Sequence, residues 1–537
     1  MSWNFGDLLD GCERVLPADA TALVHGARRV SVGEYGRKSN NLARAFLANG
    51  GQTGDKVGFY LRNDPAYMEA LGACFKARLV HVNVNYRYLD DELVYILDNS
   101  DAKFVVFDGE FSERVAAVRD RLPGVAAWLQ VGGEPAPFAV PYEDWAGEGT
   151  GEPLDIARSG DDLLFIYTGG TTGMPKGVMW THEALWGALG HGRNTAANAG
   201  GPPESPAVHV ENVGKHGPGP IQIPACPLMH GTGLFTAIGN LTGGGSIVTL
   251  EQPNFDAVEL FDTVERERAN SIVIVGDAFA KPMLAALEAN PGRWDLSSLK
   301  VVISSGVMWS QDVKQGLLSH HEGMLLADMF GSSEAIGFGA SVSSKAAGTK
   351  TAKFQVGENC KVFSEDHREV APGSGERGFI ARCGPIPSGY YKDPEKTEQT
   401  FPMINGVRYS IPGDWCTVEA DGTLTLLGRG SACINTAGEK VHAEEVEEAL
   451  KLHPDVADAL VFGVPDPKWG QAVTAVVELA DPYALDEAAV RAFVRERLAG
   501  YKVPKRVFAV PRMFRAPNGK ADYKGAAAWA AEQAAAG

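Results

Sequence analysis

Apolar and polar positions fall into short, regularly alternating blocks from about residue 55 onward. Residues 56–61 form an apolar run of strand length, and residues 65–76 continue with helical spacing, Pro65 suiting a first helical turn. Residues 79–84 are a second apolar run, 89–97 a second helix and 103–107 a third short strand. This alternation predicts a parallel sheet with helices on both faces. Residues 163–167, Leu-Leu-Phe-Ile-Tyr, read as a further buried strand. Residues 196–220 are rich in Gly and Pro without periodicity and predict a surface loop. A second α/β half follows: strand 246–250, helix 256–268, strand 271–275 and strand 299–303, the last running into Ser304, Ser305 and Gly306.

Between residues 357 and 428 the runs shorten and glycines become frequent. Strands at 359–363, 378–382, 415–419 and 424–427 predict an antiparallel β unit. A helix with Val446 and Leu450 on one side comes next, then strands 459–464 and 472–479, helix 487–498 and strand 507–510. That is a compact α+β unit of ordinary domain size. The expected fold is α/β. Residues 1–428 would form a large N-terminal domain of two doubly wound α/β halves plus the β unit. Residues 429–537 would form a smaller α+β C-terminal domain, with the boundary at 429–432.

Composition narrows the partners. A chain of 537 residues exceeds one hydrophobic core. Its 45% apolar and 22% charged residues are ordinary for a globular protein. The net charge of -18 argues against a general nucleic-acid or anionic-membrane binder. Seven scattered cysteines, with no C-x-x-C pair, argue against structural zinc and a disulfide framework. They fit a reducing cytoplasm. The first residues lack a signal-peptide pattern, and no apolar run reaches the ~18 residues of a membrane span.

The chemistry concentrates where strand 163–167 ends. Thr168-Gly169-Gly170-Thr171-Thr172-Gly173-Met174-Pro175-Lys176-Gly177 combines glycines, hydroxyls and one cation. Glycines let backbone N–H groups turn toward an anion, threonines add donors, and lysine adds a mobile charge. The loop suits polyphosphate. It is not a Walker P-loop, because Pro175 precedes the lysine and Gly177 follows it. A plain Gly-rich turn is the alternative.

This loop resembles the phosphate loop of the adenylate-forming superfamily, which includes acyl-CoA synthetases, luciferase-like enzymes and peptide-synthetase adenylation domains. The usual Ser-Gly stands here as Gly169-Gly170. The resemblance continues in order along the chain. Pro227-Leu-Met-His230-Gly231-Thr232-Gly233 is similar to the segment lining the acyl pocket. Met329-Phe330-Gly331-Ser332-Ser333-Glu334 is similar to the Tyr-Gly-x-Thr-Glu motif. The resemblance sets Phe330 by adenine, Ser333 at the carboxylate or phosphate, and Glu334 on magnesium. It also gives Ser305, Gly306, Met329, Gly331 and Ser332 to the nucleotide, and His230, Gly231, Thr232 and Gly306 to the acyl group. Asp414 and Arg429 match the ribose-binding positions. Ala432 stands at the hinge, where an aspartate is usual. Gly438, Glu439 and Lys440 match the loop beside the thiol acceptor, with a polar turn as the alternative reading. Lys520 matches the C-terminal lysine that reaches the reacting carboxylate and phosphate.

The implied activity is an AMP-forming acyl-CoA ligase that uses ATP, Mg2+ and coenzyme A, with a small domain that rotates between two steps. Its catalytic residues would be Lys176, His230, Glu334 and Lys520. No Asp or Glu lies between Pro227 and Gly239 to hold a substrate ammonium, so an α-amino acid is disfavoured. The small residues Gly231, Gly233, Ala237 and Gly239 suggest room for a bulky apolar acyl group. The resemblance is nearest to bacterial fatty-acid or steroid side-chain CoA ligases, and it admits a homodimer. Two alternatives stay open: an adenylate-forming enzyme with another acceptor, and a non-catalytic nucleotide-binding regulator.

Overall fold

The computed structural model describes residues 3–168, 174–190, 201–306, 309, 311–346, 353–357, 359–429, 433–437, 439–479, 485–514 and 522–536. By its internal contacts the chain divides into two compact units. One holds residues 1–86, 97–167 and 177–427, and the other 87–96, 168–176 and 428–537.

The first unit is built on two sheets. Among the described residues, eight strands of one sheet run in the order Gly389–Tyr390, Lys176–Thr181, Leu163–Thr168, Val80–Asn83, Lys56–Tyr60, Ala102–Asp108, Ala127–Val131, Val140–Pro141. The pairs from Leu163–Thr168 to Val140–Pro141 are parallel, as the alternation predicts. Every residue of Val80–Asn83 is buried, the pattern of a strand covered on both faces. Helix Pro65–Lys76 begins where Asp64 accepts from the Ala66 N–H and Pro65 fills the first turn.

The second sheet joins the second α/β half to the β unit. Thr21–His25, Ser246–Thr249, Ile221–Pro224, Ser271–Ile274, Val301–Ser305 and Leu325–Ser332 form its parallel part. Leu325–Ser332 then turns back into Ala335–Ser343, and the sheet continues antiparallel through Lys353–Val356, Leu424–Arg429, Asp414–Val418, Arg377–Arg382 and Cys360–Phe363. These are the expected antiparallel strands of the β unit. They extend the second parallel sheet, because the hairpin at residues 332–335 reverses the chain beside its own strand.

The stretch 196–220 departs from expectation. Pro206–His216 is a helix, with Ser205 capping the Val208 N–H and Pro206 in the first turn. Residues 191–200 lie outside the described residues. A Cβ on Gly11 would sit 2.4 Å from Val210 Cγ2, so this helix packs closely on helix Phe5–Val15. His209 Nε2 lies 2.8 Å from the Thr242 carbonyl. Packing of an apolar edge, more than local propensity, makes this segment helical.

In the second unit, Glu439–His442, Cys433–Thr436, Gly470–Leu479 and Val456–Asp466 pair antiparallel, and Arg506–Val510 adds parallel to Gly470–Leu479. Helices Ala443–Lys451 and Glu487–Arg495 close its core with Val446, Leu450, Val490 and Val494. A terminal helix, Tyr523–Ala536, covers a further patch around Leu460 and Val476. Lys502 is buried between Glu92 and Glu445, 2.8 Å from the latter. Burial pulls its ammonium toward neutrality, but Tyr501, Glu445, Tyr88 and Glu92 outweigh that and hold it well above the usual lysine range. Among the described residues, no helix is long and apolar enough to cross a membrane.

Candidate functional site

In open α/β sheets, ligands sit beyond the carboxyl ends of the parallel strands. At that edge of the second sheet, Val301–Ser305 and Leu325–Ser332 are neighbours with Ser305 opposite Met329. Ser305, with Gly306 after it, is thereby placed beside Met329, and Gly331 and Ser332 follow on the same strand. Gly306 has φ +90, a backbone that disfavours a side chain. A Cβ placed there would lie 3.8 Å from both Thr232 Oγ1 and Val275 Cγ1. Gly306 and Thr232, both expected at the acyl group, thus lie near one another.

His230 is the N-cap of helix Gly231–Thr242. Thr232, Thr236 and Gly239 recur at helical spacing, and each is partly exposed while the neighbouring Leu234, Phe235 and Ile238 are buried. A Cβ on Gly239 meets no atom within 4 Å. The other small residues need correction. Ala237 is fully buried in the core, and a Cβ on Gly233 would stand 2.6 Å from the Pro227 carbonyl oxygen. These two serve close packing and make no room for a ligand. A Cβ on Gly231 would touch the Phe235 ring at 3.1 Å.

Phe330 is buried, with its ring centroid 5.2 Å from those of both Phe338 and Phe354. Its ring belongs to an apolar cluster, so any open approach to this position runs along the main chain. The neighbouring Asp328 carboxyl is raised by burial and drawn back by Lys314, whose ammonium donates to it at 2.9 Å.

Glu334 sits in the turn after Ser332 and is buried. Its N–H donates to Ser332 Oγ at 3.2 Å, and its carbonyl accepts from Ser410 Oγ at 2.7 Å. The adjacent Ser333 carbonyl accepts from the Trp180 indole at 2.9 Å. Glu334 Oε1 accepts from the Tyr390 hydroxyl at 2.9 Å. The side-chain hydrogen bond that this buried carboxylate accepts comes from a neutral hydroxyl. A buried anion with one neutral donor fits a magnesium ion shared with substrate phosphates. No cluster of three or more His, Cys, Asp or Glu side chains suited to a metal occurs among the described residues. Asp414 is buried and opens strand Asp414–Val418, four residues past Ser410.

Tyr390, Trp180 and Ser410 were not singled out from sequence. Nothing local marks a tyrosine 56 positions from Glu334 as its partner.

In the second unit, Thr168 ends strand Leu163–Thr168 and Lys176 begins Lys176–Thr181, so the loop between them joins two strands. The Pro175 carbonyl accepts from Tyr95 Oη at 3.0 Å. Glu439 opens strand Glu439–His442 opposite Thr436, so Glu439 and Lys440 belong to a strand. Its carboxylate is buried and paired with Arg87. Gly169, Gly170, Thr171, Thr172, Gly173, Ala432, Gly438 and Lys520 lie outside the described residues, as do the side chains of Arg429 and Lys440.

Comparison with known proteins bears on the whole chain. Residues 13–391 match the family model "AMP-binding enzyme", and residues 445–520 match "AMP-binding enzyme C-terminal domain". The 3-oxocholest-4-en-26-oate--CoA ligase of Rhodococcus rhodochrous is 41% identical, over 99% of this chain and 96% of that protein. The medium-chain acyl-CoA ligase Mig of Mycobacterium avium is 37% identical, over 96% of each. The amide bond synthetase McbA from Marinactinospora thermotolerans shares the fold, with a TM-score of 0.81 at 24% identity over 97% of this chain and 99% of that one. With both of its domains matched and relatives aligned nearly end to end, the chain belongs to the AMP-binding enzyme family.

Proposed function

We propose that this AMP-forming acyl-CoA ligase, which takes ATP, Mg2+ and coenzyme A, activates a bulky hydrophobic carboxylic acid of the fatty-acid or steroid side-chain class. The observation that carries the substrate class is the wall made by Thr232, Gly306 and the open side of Gly239, with no carboxylate between Pro227 and Gly239. A bulky apolar group gains by desolvation there, whereas a substrate ammonium would be left without a counter-charge. The names of the relatives, a cholestenoate ligase and a medium-chain acyl ligase, support the same class.

In the proposed chemistry a substrate carboxylate oxygen attacks the α-phosphorus of ATP, forming acyl-AMP and releasing pyrophosphate. Thr168, Gly169, Gly170, Thr171, Thr172, Gly173 and Lys176 hold the β- and γ-phosphates. Glu334 holds the metal, which neutralises phosphate charge when bound. Asp414 and Arg429 hold the ribose, and Lys520 stabilises charge at the reacting phosphorus. The small domain, residues 429–537, then turns about Ala432. The coenzyme A thiol attacks the acyl carbonyl, and AMP leaves. Gly438, Glu439 and Lys440 lie on the side of the thiol, with Glu439 steadied by Arg87. A cytoplasmic location and a homodimer complete the proposal.

The deciding experiment is a carboxylic-acid panel of short, medium and long fatty acids, aryl acids and steroid side-chain acids, read as AMP release with and without coenzyme A. Preference for long or steroid acids with coenzyme A-dependent release is expected. Preference for aryl or short acids overturns the substrate class, and release independent of coenzyme A moves the enzyme to another acceptor.

A further inference from the structure

Glu334 is steadied at its main chain by Ser410 and Ser332, but its carboxylate is oriented by a residue from a different part of the chain. Strand Gly389–Tyr390 lies antiparallel on Lys176–Thr181, with Tyr390 opposite Val178. The Ser388 N–H donates to the Met179 carbonyl and the Tyr391 N–H to the Gly177 carbonyl, each at 2.8 Å. The Tyr390 N–H donates to Thr397 Oγ1 at 2.9 Å, and that hydroxyl donates to the Asp393 carbonyl at 2.7 Å. Gly389 makes the close approach to Thr397 possible: its φ is +150, and a Cβ there would lie 2.5 Å from Thr397 Cγ2. The Tyr390 ring also packs against Phe401 at 5.7 Å between centroids. Backbone and ring are thus both held, and the hydroxyl reaches Glu334 Oε1 at 2.9 Å with both side chains buried.

This arrangement leaves Glu334 Oε2 without a hydrogen-bond donor among the described residues. A carboxylate bound at one oxygen to a fixed hydroxyl loses its freedom to rotate and presents the other oxygen in one direction. We propose that Tyr390 is a positioning residue for the metal of MgATP, acting through Glu334. The proposal rests on the reading of Glu334 as the metal-holding carboxylate. Tyr390 fixes the carboxylate so that Oε2 meets the ion, and it supplies the one neutral donor that makes a buried anion tolerable before the ion arrives.

The test compares full-length wild type, Tyr390→Phe and Glu334→Gln for binding of α,β-methylene-ATP, whose P–C bond blocks transfer of its adenylyl group, by isothermal titration calorimetry. Each protein is titrated with the analogue alone and with its Mn2+ complex. The ratio of the two affinities isolates the contribution of the metal. Tyr390→Phe keeps the ring packing and removes only the hydroxyl. It is expected to lower this ratio about tenfold while leaving metal-free binding within twofold, in keeping with the ~10–100-fold cost of losing a residue that orients a metal ligand. Steady-state kinetics are expected to show a raised KM for MgATP with the KM for the acid unchanged. If Glu334→Gln lowers the ratio and Tyr390→Phe does not, the role of Tyr390 is overturned and the metal reading survives. If Tyr390→Phe weakens both titrations equally, the residue is merely structural and the inference fails. If neither variant changes the ratio, Glu334 does not hold the metal, and the inference falls with that reading.

Discussion

Replacing Lys76 with Met tests whether a buried charge network holds the N-terminal helices onto the first sheet. The Lys76 side chain is fully buried at the end of helix Pro65–Lys76. Its ammonium donates to Glu13 Oε1 and Oε2 at 2.7 and 2.9 Å, to Ser39 Oγ at 2.8 Å and to Asn40 Oδ1 at 2.9 Å. Asp10 stands 3.2 Å away, and Arg158 bridges Asp7 and Asp10 at 3.0 and 2.8 Å. Methionine nearly preserves the stem, so the perturbation is the loss of one positive charge. Glu13 and Asp10 then lose the ammonium, while Arg158 stays on Asp7 and Asp10. At ~3 Å and an effective dielectric of ~20, each lost attraction is about 5 kcal/mol before desolvation is considered. Breaking a buried pair on one side costs about 3–5 kcal/mol net.

Protonation of Glu13 limits that cost. Burial already raises its carboxyl above the usual range, and Lys76 is the main influence drawing it back. Without Lys76 the folded-state value rises further above the unfolded one. A carboxyl raised in this way stabilises the fold at low pH and loses that contribution as pH climbs through the folded value. The deficit of the variant should therefore be larger at pH 8 than at pH 5. Hydrogen exchange of amides in helices Phe5–Val15 and Pro65–Lys76 is the assay, because it reports opening of these helices apart from the second unit. Protection is expected to fall by about 10²–10⁴-fold at pH 8, the equivalent of 3–5 kcal/mol at ~1.4 kcal/mol per tenfold. A loss below about 1 kcal/mol, or one independent of pH, would refute the reasoning.

Other outcomes follow from single sites. His81 is fully buried, its Nε2 2.9 Å from the Tyr67 hydroxyl, and burial pushes its imidazole down to about 3 from 6.5. Because the unfolded chain binds the proton more tightly, stability is whole above about pH 6.5 and drains away as pH falls toward 3, by on the order of 5 kcal/mol. His182, lowered to about 4 by burial, adds to the same acid slope. His81→Leu should flatten the slope in urea melts taken from pH 6.5 to 4, and an unchanged slope would remove His81 from the account. Gly239→Phe should cut kcat/KM for long-chain or steroid acids about tenfold or more while sparing short acids, since the added ring enters the open side of the helix. Equal losses for all acids would mean that this face is not part of the acyl site. Lys520→Ala should abolish acyl-AMP formation and leave thioester formation from supplied acyl-AMP largely intact, measured as separate half-reactions. Parallel loss of both would count against its assigned role.

Much of the architecture was legible because strand and helix periods are local properties. The runs at 56–61, 65–76 and 103–107 became Lys56–Tyr60, Pro65–Lys76 and Ala102–Asp108 almost without change. The parallel arrangement followed from their alternation. Pro206–His216 escaped notice although Ser205-Pro206 is a recognisable start signal, because Gly and Pro around it hid a short apolar edge. Gly233 and Ala237 were misjudged for a related reason. A small side chain leaves space for a ligand or for a neighbouring backbone, and the sequence is the same in both cases.

The glycines, threonines and lysine of residues 168–177, the carboxylate at Glu334 and the absence of an acidic side chain between Pro227 and Gly239 were set by sequence, and the proposed polyphosphate and apolar acyl chemistry starts from them. Strand pairing decided the rest. Register between Val301–Ser305 and Leu325–Ser332 puts Ser305 opposite Met329, and the close approach at Gly306 brings Thr232 to it. The short pairing of Gly389–Tyr390 with Lys176–Thr181 delivers a hydroxyl to Glu334. Such pairings join residues far apart in the chain, and their choice depends on which apolar faces are buried together, a property of the assembled core that no local window contains.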